Sequence, residues 1–402
     1  MTSLTPYSQI AMRLTVIVAL AVIFAALCGP GYYASTNDSV PALAQALSEL
    51  PPDRSVFELP EGTYTIASTL RISRPGITIR GAGIGKTILI RDPSFNGIMV
   101  NMNGEKDKIT GLTIDGGGTT RALFLTNRGV AADTIEVKNF HLIGIGVTAA
   151  GCVINNCVIT GLGNAAIESF GIWRDAGTTD TSSALTITNN TIKNNGTCAI
   201  YSTGGSVTIA NNQISGNHII ASIGGGQIDI GNAFTTNTVA TITGNTIVDG
   251  GGIKAGGIEL GGGNFTVTKN IVRNHGAYGI FVGHKTAKIS IGHNVISNSG
   301  RYINEKNRPQ ARSGIYVAYG ASNLEIADNQ CFDDQPNKTQ TWGVILVGLP
   351  SQADPRVPFR ATDHVLARGN DLRGNIHPEG LLDQSGARDR SISGNFPSQA
   401  KR

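Results

Sequence analysis

The sequence lacks most of the patterns that announce a chemistry directly. None of its five cysteines stands in a C-x-x-C pair, so the usual zinc-ligand spacing is absent. No Gly-x-Ser-x-Gly elbow joins a strand to a helix, which removes the Ser nucleophile of that hydrolase class. Charged residues make up only 15% of the chain and aromatics 6%, too few for many long amphipathic helices. The net charge is +4 and no dense basic stripe runs through the chain, so nothing points to a nucleic-acid partner. The stretch RGAGIGKT, Arg80 to Thr87, ends like a phosphate-binding loop but carries Arg80 where that loop needs glycine. It is followed by TILIRD, a strand-like run, so no helix N-terminus faces a phosphate and no nucleotide cofactor is expected.

What the chain has instead is glycine, 52 residues of it, which reads as many tight turns. Residues 1–34 read as a signal peptide or N-terminal anchor. An apolar run from Leu14 to Cys28 is long for a core helix and short for a full membrane span. Tyr32-Tyr33-Ala34 lacks a small residue at the first position of a cleavage site, so the rival reading is an uncleaved anchor. Membrane contact is expected only in that case. The expected location is secreted, periplasmic or cell-surface. Such a compartment permits disulfides, yet Cys152, Cys157, Cys198 and Cys331 are too sparse for a disulfide framework.

Val40, Leu43, Leu47 and Leu50 recur at helical spacing, predicting one short amphipathic helix within residues 35–52. From SVFELPEGTYTI onward the chain breaks into short alternating runs separated by Gly, Asn and Asp, which are strands and turns. These runs repeat. An Asn recurs at positions 190, 212, 245, 270 and 294, in steps of 22, 33, 25 and 24 residues, each followed by a Gly-rich turn and a second alternation. Weaker copies centre on Asn156, Asn329 and Asn370, with SISGNF as a last fragment. A period in the twenties with strand alternation and no helical segment specifies a stacked β-solenoid. Successive coils then pair in parallel about 4.8 Å apart, and an Asn at the same corner of each coil hydrogen-bonds to the next as a ladder. The expected fold is all-β: a right-handed parallel β-helix over residues 35–395 with an N-terminal capping helix, and a polar tail at 396–402.

The segments ALAQALSEL, VFELPEGTYTIASTLRI and GITIRGAGIGKTILI resemble the start of pectate-lyase-like β-helix proteins, including rhamnogalacturonase- and epimerase-type enzymes. Leu59, Pro60, Gly62, Tyr64, Gly81 and Gly83 carry the likeness, which implies the fold from about residue 37 to 395. The family's catalytic motifs do not carry over. Asp333-Asp334 and Gly283-His284-Lys285 stand in the wrong order for polygalacturonase-like enzymes, and NRPQAR and RVPFR only approach the pectate-lyase arginine motif.

Alternation offers another route to a site. Where a Gly-Ile pair buries its Ile, the next residue points outward. Reading that position down the coils predicts one column: Glu168, Tyr201, Asp229, Glu259, Phe281 and Tyr316. Rings stack on apolar sugar faces and carboxylates hold hydroxyls or a metal, so the column suits a saccharide. Asp229 and Glu259 would be adjacent, giving a proton donor beside a carboxylate, or two ligands for Ca2+. Lys254, His275, His284, Lys285, Arg301, Arg308 and Arg312 lie close by in sequence and could neutralise or deprotonate a uronic acid. The expected catalytic residues are therefore Asp229, Glu259, His284 and Lys285, and the substrate-binding ones Glu168, Tyr201, Phe281, Arg312 and Tyr316. His141, His218 and His293 read as structural. The bland reading of the same column is a solvated strand face with scattered acids. At the level of function, the expectation is an exported lyase, hydrolase or epimerase acting on an acidic polysaccharide. The alternative is a non-catalytic polysaccharide-binding or adhesin-like β-helix.

Overall fold

A computed structural model describes residues 32–33, 40–51, 55–118, 121–164, 168–175, 184–220, 225–231, 237–252, 254–283, 286–301, 312–318, 320–348, 362–387 and 389–397. The expected export segment, Tyr32 and Tyr33 apart, and the last five residues lie outside this set.

Three long sheets, of 14, 11 and 12 strands among the described residues and taken in the order the chain crosses them, run the length of the molecule. Each coil crosses the first sheet, turns a corner into a short strand of the second, crosses the third, and returns to the first. Every strand pairing among the described residues is parallel, and with the right-handed crossover that parallel strands take, the chain is a right-handed parallel β-helix. The alternation that predicted strands sets the interior. On the first sheet Ile187, Ile209, Ile242, Val267, Ile291 and Ile326 stack in register, all fully buried. Burying each such side chain contributes about 1.5–3 kcal/mol.

The corner between the first and second sheets carries the Asn ladder. Asn190, Asn212, Asn245, Asn270, Asn294, Asn329 and Asn370 each donate the side-chain amide to the Oδ1 of the next rung, at 2.8–3.0 Å, and Asn395 is the last acceptor. The residue before each rung takes a left-handed conformation, for example Asn189 (φ 58°) and Gly244 (φ 66°). Asn156 was expected to be a rung but is that corner residue itself (φ 52°). The rung is Cys157, whose backbone N–H donates to Asn190 Oδ1 at 2.9 Å. The ladder thus begins at Asn190, where the stack changes from apolar to amide.

A second polar row follows the second sheet. Asn195 donates to Asn217 at 2.7 Å, and Asn217 to the Gln227 side chain at 2.9 Å. Because Gln227 is drawn inside, strict alternation fails just ahead of Ile228, and the pairing of strands Gly225–Gly231 and Ala255–Gly261 skips Gln227 and Gly257. This break sets the backbone of the candidate site.

At the N-terminal end a helix spans Val40–Ser48 and lies against strands Gly62–Ile66 and Leu70–Ile72. Leu43, Leu47 and Leu50 are buried in the common core, and the Arg74 guanidinium donates to the carbonyls of Leu50 and Pro51 at 2.8 and 2.9 Å. The RGAGIGKT stretch is an early corner: strand Thr78–Gly81, a turn, then strand Thr87–Arg91. The Thr87 hydroxyl is buried and donates to the carbonyls of Leu59 and Pro60, at 3.1 and 2.9 Å. Gly81 is required because a Cβ there would collide with the Gly111 carbonyl of the next coil. All four described cysteines are buried free thiols.

Candidate functional site

The outer face of the third sheet presents one column in register. Trp173 pairs with Tyr201, Tyr201 with Asp229, Asp229 with Glu259, Glu259 with Phe281, and Phe281 with Tyr316. Behind them Ile172, Ile200, Ile228, Ile258, Ile280 and Ile315 are fully buried, which fixes the outward direction of the column. Five of the six expected members are therefore neighbours. Glu168 is not among them. It precedes strand Ser169–Asp175 and is exposed, while Trp173 occupies its expected rung. The reason is register: Ala166-Ile167 imitates the Gly-Ile pair, but the pair that faces the core is Gly171-Ile172.

Each acid stands beside a bare glycine backbone, occupied by the acid itself in one coil and by a tyrosine in the other. A Cβ on Gly225 would lie 3.1 Å from both Asp229 Oδ2 and the His218 Cε1, so the carboxylate and that ring converge above a bare backbone. A Cβ on Gly256 would collide with the ring of Tyr278. Glycine there lets Tyr278 lie across the strand, and its hydroxyl donates to Glu259 Oε2. Among the described residues Asp229 receives no comparable bond. The Tyr278 ring also packs on Phe281, with centroids 5.1 Å apart, and Phe281 packs on Tyr316 at 5.3 Å. Phe281 is only 7% exposed, so it is a covered wall, and the open rings are Tyr316 and Tyr278 on one side and Tyr201 and Trp173 on the other.

The electrostatics follow from this crowding. Both carboxyls keep a half-buried surface but stand in a poorly solvated recess. Desolvation, reinforced by the Glu259 charge, pushes the Asp229 carboxyl well above the usual carboxylate range. Desolvation also raises Glu259, and the Tyr278 hydrogen bond opposes it. Burial and the facing carboxylate hold the Tyr278 phenol protonated, and burial does the same for the nearby Cys198 thiol. The two acids titrate as a pair. The Tyr278 hydrogen bond reaches only Glu259, so the two sites of the pair are not equivalent.

Other expected participants are placed elsewhere. His284 and Lys285 lie outside the described residues. Arg312 is buried at the start of strand Ser313–Val317, and its Nε donates to the Thr339 carbonyl at 2.9 Å. It therefore supports the turn that carries Thr339. His275 points into the solenoid, its Nε2 3.2 Å from the Ile247 carbonyl, and burial lowers its pKa to about 4. Ca2+ takes six to eight oxygens, so Asp229 and Glu259 would need further ligands to hold it. No group of three or more His, Cys, Asp or Glu among the described residues could hold a metal ion. A separate cavity of about 630 Å³ on the first sheet is lined by Thr241, Thr266, Lys288 and Glu325 among others. It pairs no two acids, so the crowded carboxylates mark the site better than concavity does.

Tyr278, Cys198 and His218 were not foreseen as neighbours of the acids. His218 read as structural because its nearest acid in sequence is remote, yet the coil closes it onto Asp229. The one available signal was the Gly-Gly pair ahead of each acid, in GGQID and AGGIE.

The family model described as right handed beta helix region matches residues 178–338. No curated protein gives a significant match. Among solved structures, a PL6 alginate lyase in complex with a trisaccharide is 15% identical with a TM-score of 0.62, over 92% of this chain and 86% of that one. The Dettilon tailspike protein is 15% identical with a TM-score of 0.57, over 91% of this chain and 68% of that one. The catalytic unit of a GH87 alpha-1,3-glucanase from Streptomyces thermodiastaticus is 12% identical with a TM-score of 0.54, over 90% and 70%. At these identities the likeness shows the fold, and it agrees with the coil geometry.

Proposed function

We propose that this protein is an exported carbohydrate-active enzyme that hydrolyses glycosidic bonds in a polysaccharide, with Asp229 and Glu259 as its reacting pair. The observation that carries the reading is the in-register acid pair, of which only Glu259 is hydrogen-bonded by Tyr278, set between aromatic side chains. Two carboxyl groups whose surroundings separate acid from base are the minimal equipment for this reaction. Asp229 passes its proton to the glycosidic oxygen as the bond to the anomeric carbon breaks, and Glu259 bonds to that carbon. Water then adds its oxygen to the sugar and returns a proton to Asp229, releasing Glu259 as the carboxylate. Adjacent strands about 4.8 Å apart favour this short-separation, retaining geometry.

The fold is shared with an alginate lyase holding a trisaccharide and with an α-1,3-glucanase, which supports a carbohydrate ligand. The apolar run Leu14–Cys28 supports export. A uronic-acid substrate and an elimination or epimerisation step need cations. Among the described residues the column from Trp173 to Tyr316 offers carboxylates and rings, with His218 beside Asp229, and an ionised Glu259 would repel a uronate. Hydrolysis is the better reading.

The test is to incubate purified protein with a panel of neutral glucans, alginate and pectins, and to measure new reducing ends and unsaturated-uronate absorbance. Reducing ends without absorbance support hydrolysis. Absorbance on a uronan would replace it by elimination, and binding without turnover across the panel by a non-catalytic scaffold.

A further inference from the structure

The acid pair is symmetric in sequence but not in surroundings, and the asymmetry has one structural source. Asp229 and Glu259 occupy the same position of successive coils, each directly after a Gln-Ile or Gly-Ile step. Tyr278 breaks the equivalence. It arrives from the turn before strand Ile280–Gly283, lies flat over Gly256, and gives its hydroxyl proton to Glu259 Oε2. Its ring is locked by Phe281 at 5.1 Å. The place is available only because residue 256 has no side chain.

We propose that Tyr278, held over Gly256, is the positioning residue that assigns the proton within the acid pair, keeping Glu259 ionised and Asp229 protonated. This rests on the hydrolytic reading above for its consequence in catalysis, but the assignment itself does not need turnover. Among the described residues, the groups facing Glu259 are few. Asp229 stands on the preceding strand, Cys198 in the coil before it, with His218 beside Asp229. The following strand presents Phe281, which carries no charge. An ionised Asp229 would disfavour the Glu259 carboxylate, and the Cys198 thiol, held protonated by burial, carries no charge. Tyr278 is the group that favours it, since a hydrogen bond to the charged form lowers the pKa of an acid.

The test uses two variants that remove the same bond by different routes. Tyr278→Phe deletes the hydroxyl and keeps the ring; Gly256→Ala keeps the hydroxyl and pushes the ring away. The carboxyl titration of Glu259 is followed by isotope-edited infrared or carboxyl-carbon NMR in the full chain without substrate, with Glu259→Gln to identify the signal. Both variants should raise the Glu259 midpoint by about one pH unit or more. On any polysaccharide the protein cleaves, the acidic limb of kcat/KM should move up by the same amount while KM changes little. An unchanged Glu259 midpoint in Tyr278→Phe overturns the proposal, as does a shift in Tyr278→Phe that Gly256→Ala, folded by thermal melt, fails to reproduce. Shifted midpoints with no turnover of any polysaccharide would overturn the hydrolytic reading alone.

Discussion

Asp229 stands directly opposite Glu259 on adjacent parallel strands, and a hydrogen bond from Tyr278 reaches only the second of them. Like charges at strand spacing cannot both ionise freely, so the pair retains a proton at a pH where isolated carboxyls have lost theirs. A proton donor is thereby placed one strand away from a carboxylate able to act as nucleophile, on an outward face with aromatic side chains above and below.

Removing either acid should separate function from stability. Asp229→Asn and Glu259→Gln are each expected to lower kcat/KM by about 10²–10⁴, the usual contribution of general acid–base groups. Thermal stability should hold or rise near neutral pH. The folded pKa of Asp229 is raised, so its contribution to stability is fully present below the unfolded value and is lost as pH rises through the folded one. Melting temperature against pH checks this: the wild type should lose stability on passing from acid toward neutral pH, with a flatter curve in Asp229→Asn.

The ladder should be costly to interrupt. Asn245→Ala removes the acceptor for the backbone and side-chain N–H groups of Asn212, both at 2.9 Å, and the donor to Asn270. Orphaned buried donors cost about 1–3 kcal/mol each, so a loss of about 3 kcal/mol or more is expected in denaturant unfolding. Each coil touches only its neighbours, so the loss of hydrogen-exchange protection should centre on the coils of Asn212 and Asn270.

Asp107 offers a test remote from the site. Its buried carboxylate accepts the backbone N–H of Ile77 at 3.0 Å and of Gly104 at 2.8 Å, while burial pushes its pKa up to about 6. Asp107→Asn swaps one acceptor for a donor that faces an N–H, and should destabilise by about 1–3 kcal/mol. Because the folded pKa is raised, the wild-type contribution is full below about 4 and fades as pH passes about 6. The penalty of the variant should therefore change across that window in a urea series.

The RGAGIGKT corner separates a structural glycine-rich turn from a phosphate loop. Thr87→Val orphans the Ala82 N–H, which donates to Thr87 Oγ1 at 2.8 Å, and should cost about 1–3 kcal/mol. Lys86→Ala, at an exposed turn position, should leave the melting temperature unchanged. A calorimetric titration with a nucleoside triphosphate should give no heat for either chain.

Much of this architecture is legible in the residues because the fold is periodic. A rung Asn, a Gly corner and a Gly-Ile step recur often enough to predict the sheets, the ladder and the register that joins Tyr201 to Tyr316. Failures come where the period is imitated or broken. Ala166-Ile167 imitates the step and misplaces Glu168, and Asn156 imitates a rung while serving as the left-handed corner before Cys157. The neighbours of the acids were hidden for a different reason. Cys198, His218 and Tyr278 lie in turns, where no alternation predicts direction, and only the missing side chain at Gly256 lets Tyr278 reach Glu259.

The most direct measurement is cleavage in heavy-oxygen water with the products weighed by mass spectrometry. Wild-type protein should place one heavy oxygen at the new reducing end per bond cleaved, with Asp229→Asn and Glu259→Gln producing almost none. Unlabelled products carrying an unsaturated uronate, or full labelled turnover by both variants, would contradict hydrolysis by the Asp229–Glu259 pair.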